Sequence, residues 1–229
     1  MKIINTLENY TDDNGNKIVF NKKIDTSVNI RFTGKNNTLV VSDDASPSDL
    51  LINFDCDNGR CEIGRTRGRF NIRIGQDSTV IICDDVSTTQ RCFISAAEGS
   101  TVNIGKDCMI SVGVSIRTDD SHAIFDVESG LRINISQDVI IGNHVWIGQE
   151  VAILGGTSIG DGSVIGFRSV VKGKIENNCI AVGIPSRVVR KNIAWERPHL
   201  TLAKPYYKPD SSCVKKSEYW NLTEVNSDC

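Results

Sequence analysis

ISQDVIIGNHVWIGQEVAILGGTSIGDGSVIGFRSVVKGKIE, residues 135–176, carries an aliphatic side chain at every sixth position: Ile135, Ile141, Ile147, Ile153, Ile159, Ile165 and Val171. Glycine follows at Gly142, Gly148, Gly160 and Gly166. The position four after each aliphatic is small or β-branched, at Val139, Val145, Val151, Thr157, Ser163, Ser169 and Ile175. A period of six does not match the helical repeat of about 3.6 residues but is a multiple of the strand period, so each aliphatic and its i+4 partner share one face. Glycine relaxes the backbone at the bend between strands. Short strands divided by bends at fixed spacing describe a β-solenoid, in which each turn covers the core of the last.

Upstream the same phase continues through Ile74, Val80, Val86, Cys92, Glu98, Ile104, Ile110 and Ile116. Ile116 and Ile135 are nineteen residues apart, which is no multiple of six. The segment RTDDSHAIFDVESGLRIN, 117–134, is therefore an inserted excursion, and loops leaving a rigid scaffold are where function concentrates. Before Ile74, VNIRFTG, NTLVVSD and DLLINFD alternate as strands and read as irregular first turns over the open end of the coil. The division expected is 1–63 for these capping strands, 64–186 for the repeats with their loop, and 187–229 for a C-terminal cap and tail. RVVRKNIAWERPHL predicts a short helix or an extended cap, and the Lys-, Ser- and Pro-rich end from about Lys204 a loosely held tail.

The bulk properties narrow the function. A net charge of −2 over 229 residues gives no reason to expect nucleic acid or a membrane surface as partner. The N-terminus has no basic region followed by an apolar core, and no stretch is long and apolar enough for a membrane span, which points to the cytoplasm. With no export signal and no C-x-x-C pair, the eight cysteines read as reduced thiols. Cys92, Cys108 and Cys179 stand where the repeat wants a small core filler.

The run IGNHVWIGQEVAILGGTSIGDGSVIGFRSVVKGKIENNCIAVGIPSRVVR closely resembles the hexapeptide-repeat acyltransferases, and the likeness extends over roughly 64–197. Val-Trp-Ile-Gly and Gly-x-Pro-x-Arg-Val are shared with galactoside and maltose acetyltransferases. The longer irregular N-terminus and the closing NIAWER look more like capsular and polysialic acid O-acetyltransferases. The resemblance implies an all-β, left-handed parallel β-helix of triangular section with three hexapeptides per turn. It also implies a homotrimer with active sites between subunits, acetyl-CoA as co-substrate, a carbohydrate acceptor and no metal. The hand comes from the family alone, because right-handed crossovers are the general default.

On that resemblance His122, on the excursion, is the candidate catalytic base, since imidazole suits proton removal from a sugar hydroxyl near neutral pH. Asp119, Asp120, Asp126, Glu128 or a backbone carbonyl would orient it, and the sequence does not choose among them. Trp146 precedes core Ile147, so strand alternation turns its indole outward, where the family places the thioester. Gln149 and Phe167 lie eighteen residues apart and should stack at one corner about 4.8 Å apart, beside the family's pantetheine arm. Lys172, Gly173, Arg187 and Arg190 align with positions that meet coenzyme A further along. Phe167 and Gly173 depart from the alanine and lysine of the sugar acetyltransferases, and the charge contact at Gly173 is lost. His144, at a bend, is expected in solvent. In RCEIGRTRGRFNIRI, 60–74, Arg65, Arg67, Arg69 and Arg73 share one strand parity, with Phe70, Ile72 and Ile74 on the other. Such a guanidinium row, joined by Arg91, would suit an anionic sugar such as sialic acid, or would form ion pairs.

The leading expectation is O-acetylation of a sugar hydroxyl of a surface polysaccharide by direct transfer, because no Ser or Cys nucleophile has an evident partner. A small drug or the amine of a nucleotide sugar is the alternative acceptor. A zinc hydratase of the γ-carbonic anhydrase kind needs three converging histidines, and only His122, His144 and His199 exist. A non-catalytic scaffold is the remaining class.

Overall fold

The computed structural model describes residues 1–25 and 27–222. Its strands form three sheets, visited in rotation from Arg69–Ile74 onward, so the chain winds as a triangular prism with three faces and three edges; the strands before it belong to the first two sheets alone. Over the repeats the circuit runs Val139–Ile141 (second face), Trp146–Ile147 (third), Ala152–Ile153 (first), Ser158–Ile159 (second), Val164–Ile165 (third) and Val170–Val171 (first). Neighbouring turns pair parallel and in register, with Ile140 opposite Ser158, Trp146 opposite Val164 and Ala152 opposite Val170, a turn of eighteen residues.

Ile141, Ile147, Ile153, Ile159, Ile165 and Val171 point into the prism and are at most 2% exposed. Burying each side chain stabilises the coil by roughly 1.5–3 kcal/mol. The i+4 partners are buried as well, and the hydroxyls among them satisfy corner carbonyls: Thr157 donates to Leu154 (2.6 Å), Ser163 to Glu176 (2.8 Å) and Ser169 to Gly166 (2.8 Å). Ile135 is different. It is 68% exposed on the returning arm of the excursion, and the buried series starts with Val139 and Ile141.

The glycines of the beat have a different cause from the one the sequence indicates. Gly142, Gly148, Gly160 and Gly166 do not hold positive φ; His144, Glu150, Arg168 and Asn178 hold it instead. The glycines are needed because the next turn lies too close for a side chain. A Cβ on Gly142 would sit 2.2 Å from Asp161 Oδ1, and one on Gly160 2.2 Å from Asn177 Oδ1. Those oxygens form a ladder along the edge between the second and third faces. Lys106 N–H donates to Asn143 (2.8 Å), Asn143 N–H to Asp161 (2.7 Å) and Asp161 N–H to Asn177 (2.9 Å).

Upstream the coil is looser than a pure six-residue beat. Cys92 lies opposite Phe70 and Phe93 opposite Ser115, twenty-two residues per turn. The extra residues sit at the corners, so Glu98 falls on a corner at φ 57° rather than in the core. The other members of that series, including Cys92, are buried, and burial alone pushes the Cys92 thiol up to about 12. Parallel pairing crosses residue 63 without a break: Val28–Phe32 pairs Asp49–Phe54, which pairs Arg69–Ile74. The strands from Lys17–Val19 onward thus pair as parallel turns of the coil, while Lys2–Ile4 and Tyr10–Thr11 pair antiparallel at its beginning.

The C-terminal cap is extended. Ser186–Arg190 pairs antiparallel with Ile180–Gly183 at the end of the third face. The stretch from Lys204 to 222 is held, unlike a loose tail. Glu196 accepts from Ser217 N–H (2.6 Å) and from the Trp220 indole (2.7 Å), and Asn178 donates to the carbonyls of Ile193 (2.9 Å) and Tyr219 (2.7 Å). Residues 223–229 lie outside the described residues. No helix among the described residues is long and apolar enough to cross a membrane.

Candidate active site

The excursion leaves the first face after Ser115–Arg117 and rejoins the second at Val139–Ile141, so it stands on the edge between them. Asp119 roots one arm: its carboxylate accepts from Ser95 Oγ (2.8 Å) and from Ser121 N–H (2.8 Å). Arg132 roots the other through a two-pronged pair with Glu98, which also accepts from Ser136 (2.7 Å). Those bonds, Arg132 first, hold the Glu98 carboxyl at about 2. His122 sits exposed between the arms. Among the described residues its ring has no hydrogen-bond partner. Of the four acidic candidates for orienting it, Asp119, Asp120 and Asp126 accept bonds from loop groups instead.

Trp146 lies on the third face between Met109 and Val164, turned outward and 40% exposed, with its ring 5.9 Å from that of Trp195. Gln149 and Phe167 occupy successive turns on the edge between the third and first faces, joined by a rung from Arg168 N–H to the Gln149 carbonyl (2.9 Å). Phe167 is 58% exposed. Arg67, Arg69 and Arg91 begin the same edge several turns earlier. Lys172 and Gly173 lie on the excursion's edge two turns further along, between Val170–Val171 and Lys174–Ile175. Arg187 and Arg190 are exposed on the terminal strand Ser186–Arg190.

One protomer therefore does not bring these residues together. His122, Lys172 and Gly173 share one edge; Gln149, Phe167 and the three arginines share another; Trp146 stands mid-face. The arginine row also differs from a free guanidinium surface. Arg65, Arg67 and Arg69 do face outward, but Arg65 pairs with Asp85, Arg73 with Asp55 (2.6 Å) and Arg91 with Asp49, while Arg69 reaches Ser48 Oγ (3.4 Å). Arg67 has no ionic partner among the described residues.

His144 is not in solvent. It is 2% exposed, with Nδ1 2.6 Å from Asp107 Oδ2 and Nε2 3.0 Å from the Trp195 carbonyl. Its ring is sandwiched between Trp195 (centroids 4.0 Å apart) and Tyr219 (4.6 Å). The covering residues come from the C-terminal strap, fifty-one and seventy-five positions later, and local sequence carries no mark of them. Arg197 of the same strap bonds Asp107 Oδ1 and the carbonyls of Asp85, Asp107 and Cys108. Glu98 was also hidden, although a carboxylate on an aliphatic beat is itself a sign that the beat has slipped there.

Among the described residues no group of three or more His, Cys, Asp or Glu side chains is arranged to hold a metal ion.

Residues 138–173 match the family model described as bacterial transferase hexapeptide (six repeats). A polysialic acid O-acetyltransferase of Neisseria meningitidis is 35% identical over 172 residues, covering 75% of this chain and 70% of that relative. The polysialic acid O-acetyltransferase of Escherichia coli O1:K1 is 35% identical over 105 residues, 46% of this chain, and the match spans 34% of that relative's length. Among solved structures, the polySia specific acetyltransferase NeuO superimposes with a TM-score of 0.70 at 32% identity, over 82% of this chain and 88% of that one. A six-residue beat wound into a triangular coil, an excursion breaking it on one edge, and likeness over most of the chain to such relatives lead to one assignment: this chain belongs to the hexapeptide-repeat acetyltransferases, with their left-handed parallel β-helix.

Proposed function

We propose that the protein transfers an acetyl group from acetyl-CoA to a hydroxyl of a capsular or surface polysaccharide, sialic acid or another of its sugars, with His122 as general base. The observation that carries this reading is the exposed imidazole on a doubly rooted excursion, in a chain 35% identical to a polysialic acid O-acetyltransferase over 70% of its length. His122 takes the acceptor proton as the sugar oxygen attacks the thioester carbonyl, and returns it to the departing thiolate, so no acyl-enzyme is required.

The separation of the candidates between two edges supports a homotrimer in which the excursion of one copy faces the third face and Gln149 edge of the next. The interface pocket so formed is where ligands tend to bind. Trp146 would pack beside the thioester, and Gln149 and Phe167 along the pantetheine arm. The chain's cations fit coenzyme A: Lys172, Arg187 and Arg190 are exposed and carry no ion pair among the described residues, and a Cβ on Gly173 would meet nothing within 4 Å. These cations would hold its phosphates. Use of acetyl-CoA would place the reaction in the cytoplasm. Arg67 and Arg69, with Arg91 if it leaves Asp49, would meet the acceptor's carboxylates.

The test is thiol release from acetyl-CoA with polysialic acid oligomers. His122→Ala should lower kcat by about 10²–10⁴-fold while the oligomer stays folded. Near-parental turnover in that variant removes His122 as the base.

A further inference from the structure

A base on an exposed loop is useful only if its backbone is fixed, and two bonds hold the backbone of His122. Its N–H donates to the Asp120 carbonyl (2.8 Å), and its carbonyl accepts from Asn134 Nδ2 (2.8 Å). Asn134 comes from the returning arm and fills the turn. The same Nδ2 donates to Asp120 Oδ2 (3.1 Å), and Oδ1 accepts from Ile124 N–H (2.7 Å) and Arg132 Nε (3.2 Å). One amide thus joins residues on both sides of His122. The turn needs this hold, because Ser121 sits at φ 66°, a region that a side chain bearing a Cβ rarely adopts.

Asn134 is itself tied to the coil. Arg132 Nη2 donates to its carbonyl (3.1 Å), and the same Nη2, with Nη1, grips Glu98 at the prism edge. Rigid coil, Glu98, Arg132, Asn134 and His122 therefore form one continuous chain of bonds, in which Asn134 is, among the described residues, the one that hydrogen-bonds the His122 backbone from the far arm.

From this geometry we infer that Asn134 is the positioning residue for His122: its amide fixes the turn that presents the imidazole, so it sets the rate of the acetyl transfer without touching either substrate. The inference rests on the reading of His122 as base. Asparagine suits the role because one side chain must donate and accept at once. Aspartate has the same volume but offers a carboxylate oxygen to the His122 carbonyl and Asp120, both acceptors.

The experiment compares the parent with Asn134→Ala, Asn134→Asp and His122→Ala by thiol release from acetyl-CoA, with polysialic acid oligomers or water as acceptor. Amide exchange at Ile124 is followed in parallel. Both Asn134 variants should lose about tenfold or more in kcat with KM for acetyl-CoA changed less than about twofold, and the Ile124 amide should lose protection. A space-filling role predicts that Asp serves as well as Asn, so parental kcat in Asn134→Asp overturns the inference, as does parental kcat in Asn134→Ala beside an inactive His122→Ala. Loss of trimer or of acetyl-CoA binding in both Asn134 variants also overturns it, since the residue would then be structural. Full turnover in His122→Ala instead sinks the base itself and takes the inference with it.

Discussion

Replacing His144 by alanine should free the C-terminal strap while leaving the coil wound. The ring makes one bond to the Asp107 carboxylate at 2.6 Å and one to the Trp195 carbonyl at 3.0 Å, and it stacks on Trp195 and Tyr219. A bond to a charged group contributes about 1.5–3 kcal/mol, a neutral one about 0.5–1.5, and each aromatic stack about 0.5–1.5 beyond area burial. These terms overlap, so the combined loss is on the order of 3–5 kcal/mol rather than their sum. The strap keeps Arg197 on Asp107 and the two Asn178 bonds, and the loss therefore appears first as local opening. Arg197, Lys204 and Lys208 each precede a proline and are resistant to trypsin. At about 1.4 kcal/mol per tenfold, trypsin cleavage after Lys215 or Lys216 should quicken by about a hundredfold or more, provided opening is fast relative to cleavage. Asparagine tolerates the φ of 51° at this position and can keep the Asp107 bond, so His144→Asn should fall between the parent and alanine. Parental cleavage rates at those sites in His144→Ala would refute the reasoning, since they would mean that the sandwich contributes nothing to docking the strap.

Two further outcomes follow from named contacts. Glu98 has its carboxyl held at about 2 by Arg132 and Ser136; a depressed value means the anchoring is complete above about 4.5 and is lost as pH falls through about 2. Carbon NMR of the Glu98 carboxyl reads this directly, and titration near its ordinary value would show that the pair does not form in solution. Gly142→Ala would set a Cβ 2.2 Å from Asp161 Oδ1 and 2.9 Å from its backbone nitrogen, so it should cost about 1–3 kcal/mol in denaturant unfolding; an unchanged midpoint would mean the ladder has room to yield.

Much of the fold was legible because its cause is local. An aliphatic on a six-residue beat and its i+4 partner point inward from any turn, and the nineteen-residue gap after Ile116 marks the excursion with no knowledge of its neighbours. The outward parity of Arg65, Arg67 and Arg69 follows from strand alternation alone. What escaped depends on a partner distant in sequence. Gly142 looks like a torsional hinge until Asp161 is seen against it, and His144 looks like a solvated corner until Trp195 and Tyr219 close over it. The twenty-two-residue upstream turns escaped because extra corner residues leave the buried positions aliphatic and so keep the appearance of the beat. Whether an outward arginine is free or paired is equally a question of its neighbours: Arg91 meets Asp49, forty-two positions earlier.

The same rigidity that makes the coil readable limits what one copy can do. Parallel turns in register hold each edge a fixed distance from the other two, and no hinge among the repeats lets edges approach. His122 is rooted to the first and second faces by Asp119 and Glu98, whereas Trp146 is fixed on the third by pairing with Met109 and Val164. Bringing imidazole and indole to one thioester within a protomer would require unwinding strands whose inward side chains are buried. Joining the edges of two rigid copies requires no such unwinding. A functional separation should therefore be visible in mixed oligomers: His122→Ala and Trp146→Ala protomers, each inactive alone, should regain part of the parental turnover when co-assembled, because some interfaces then pair an intact imidazole with an intact indole. Mixed assemblies as inactive as either parent variant would place both groups in one protomer's own site, against the geometry of the prism.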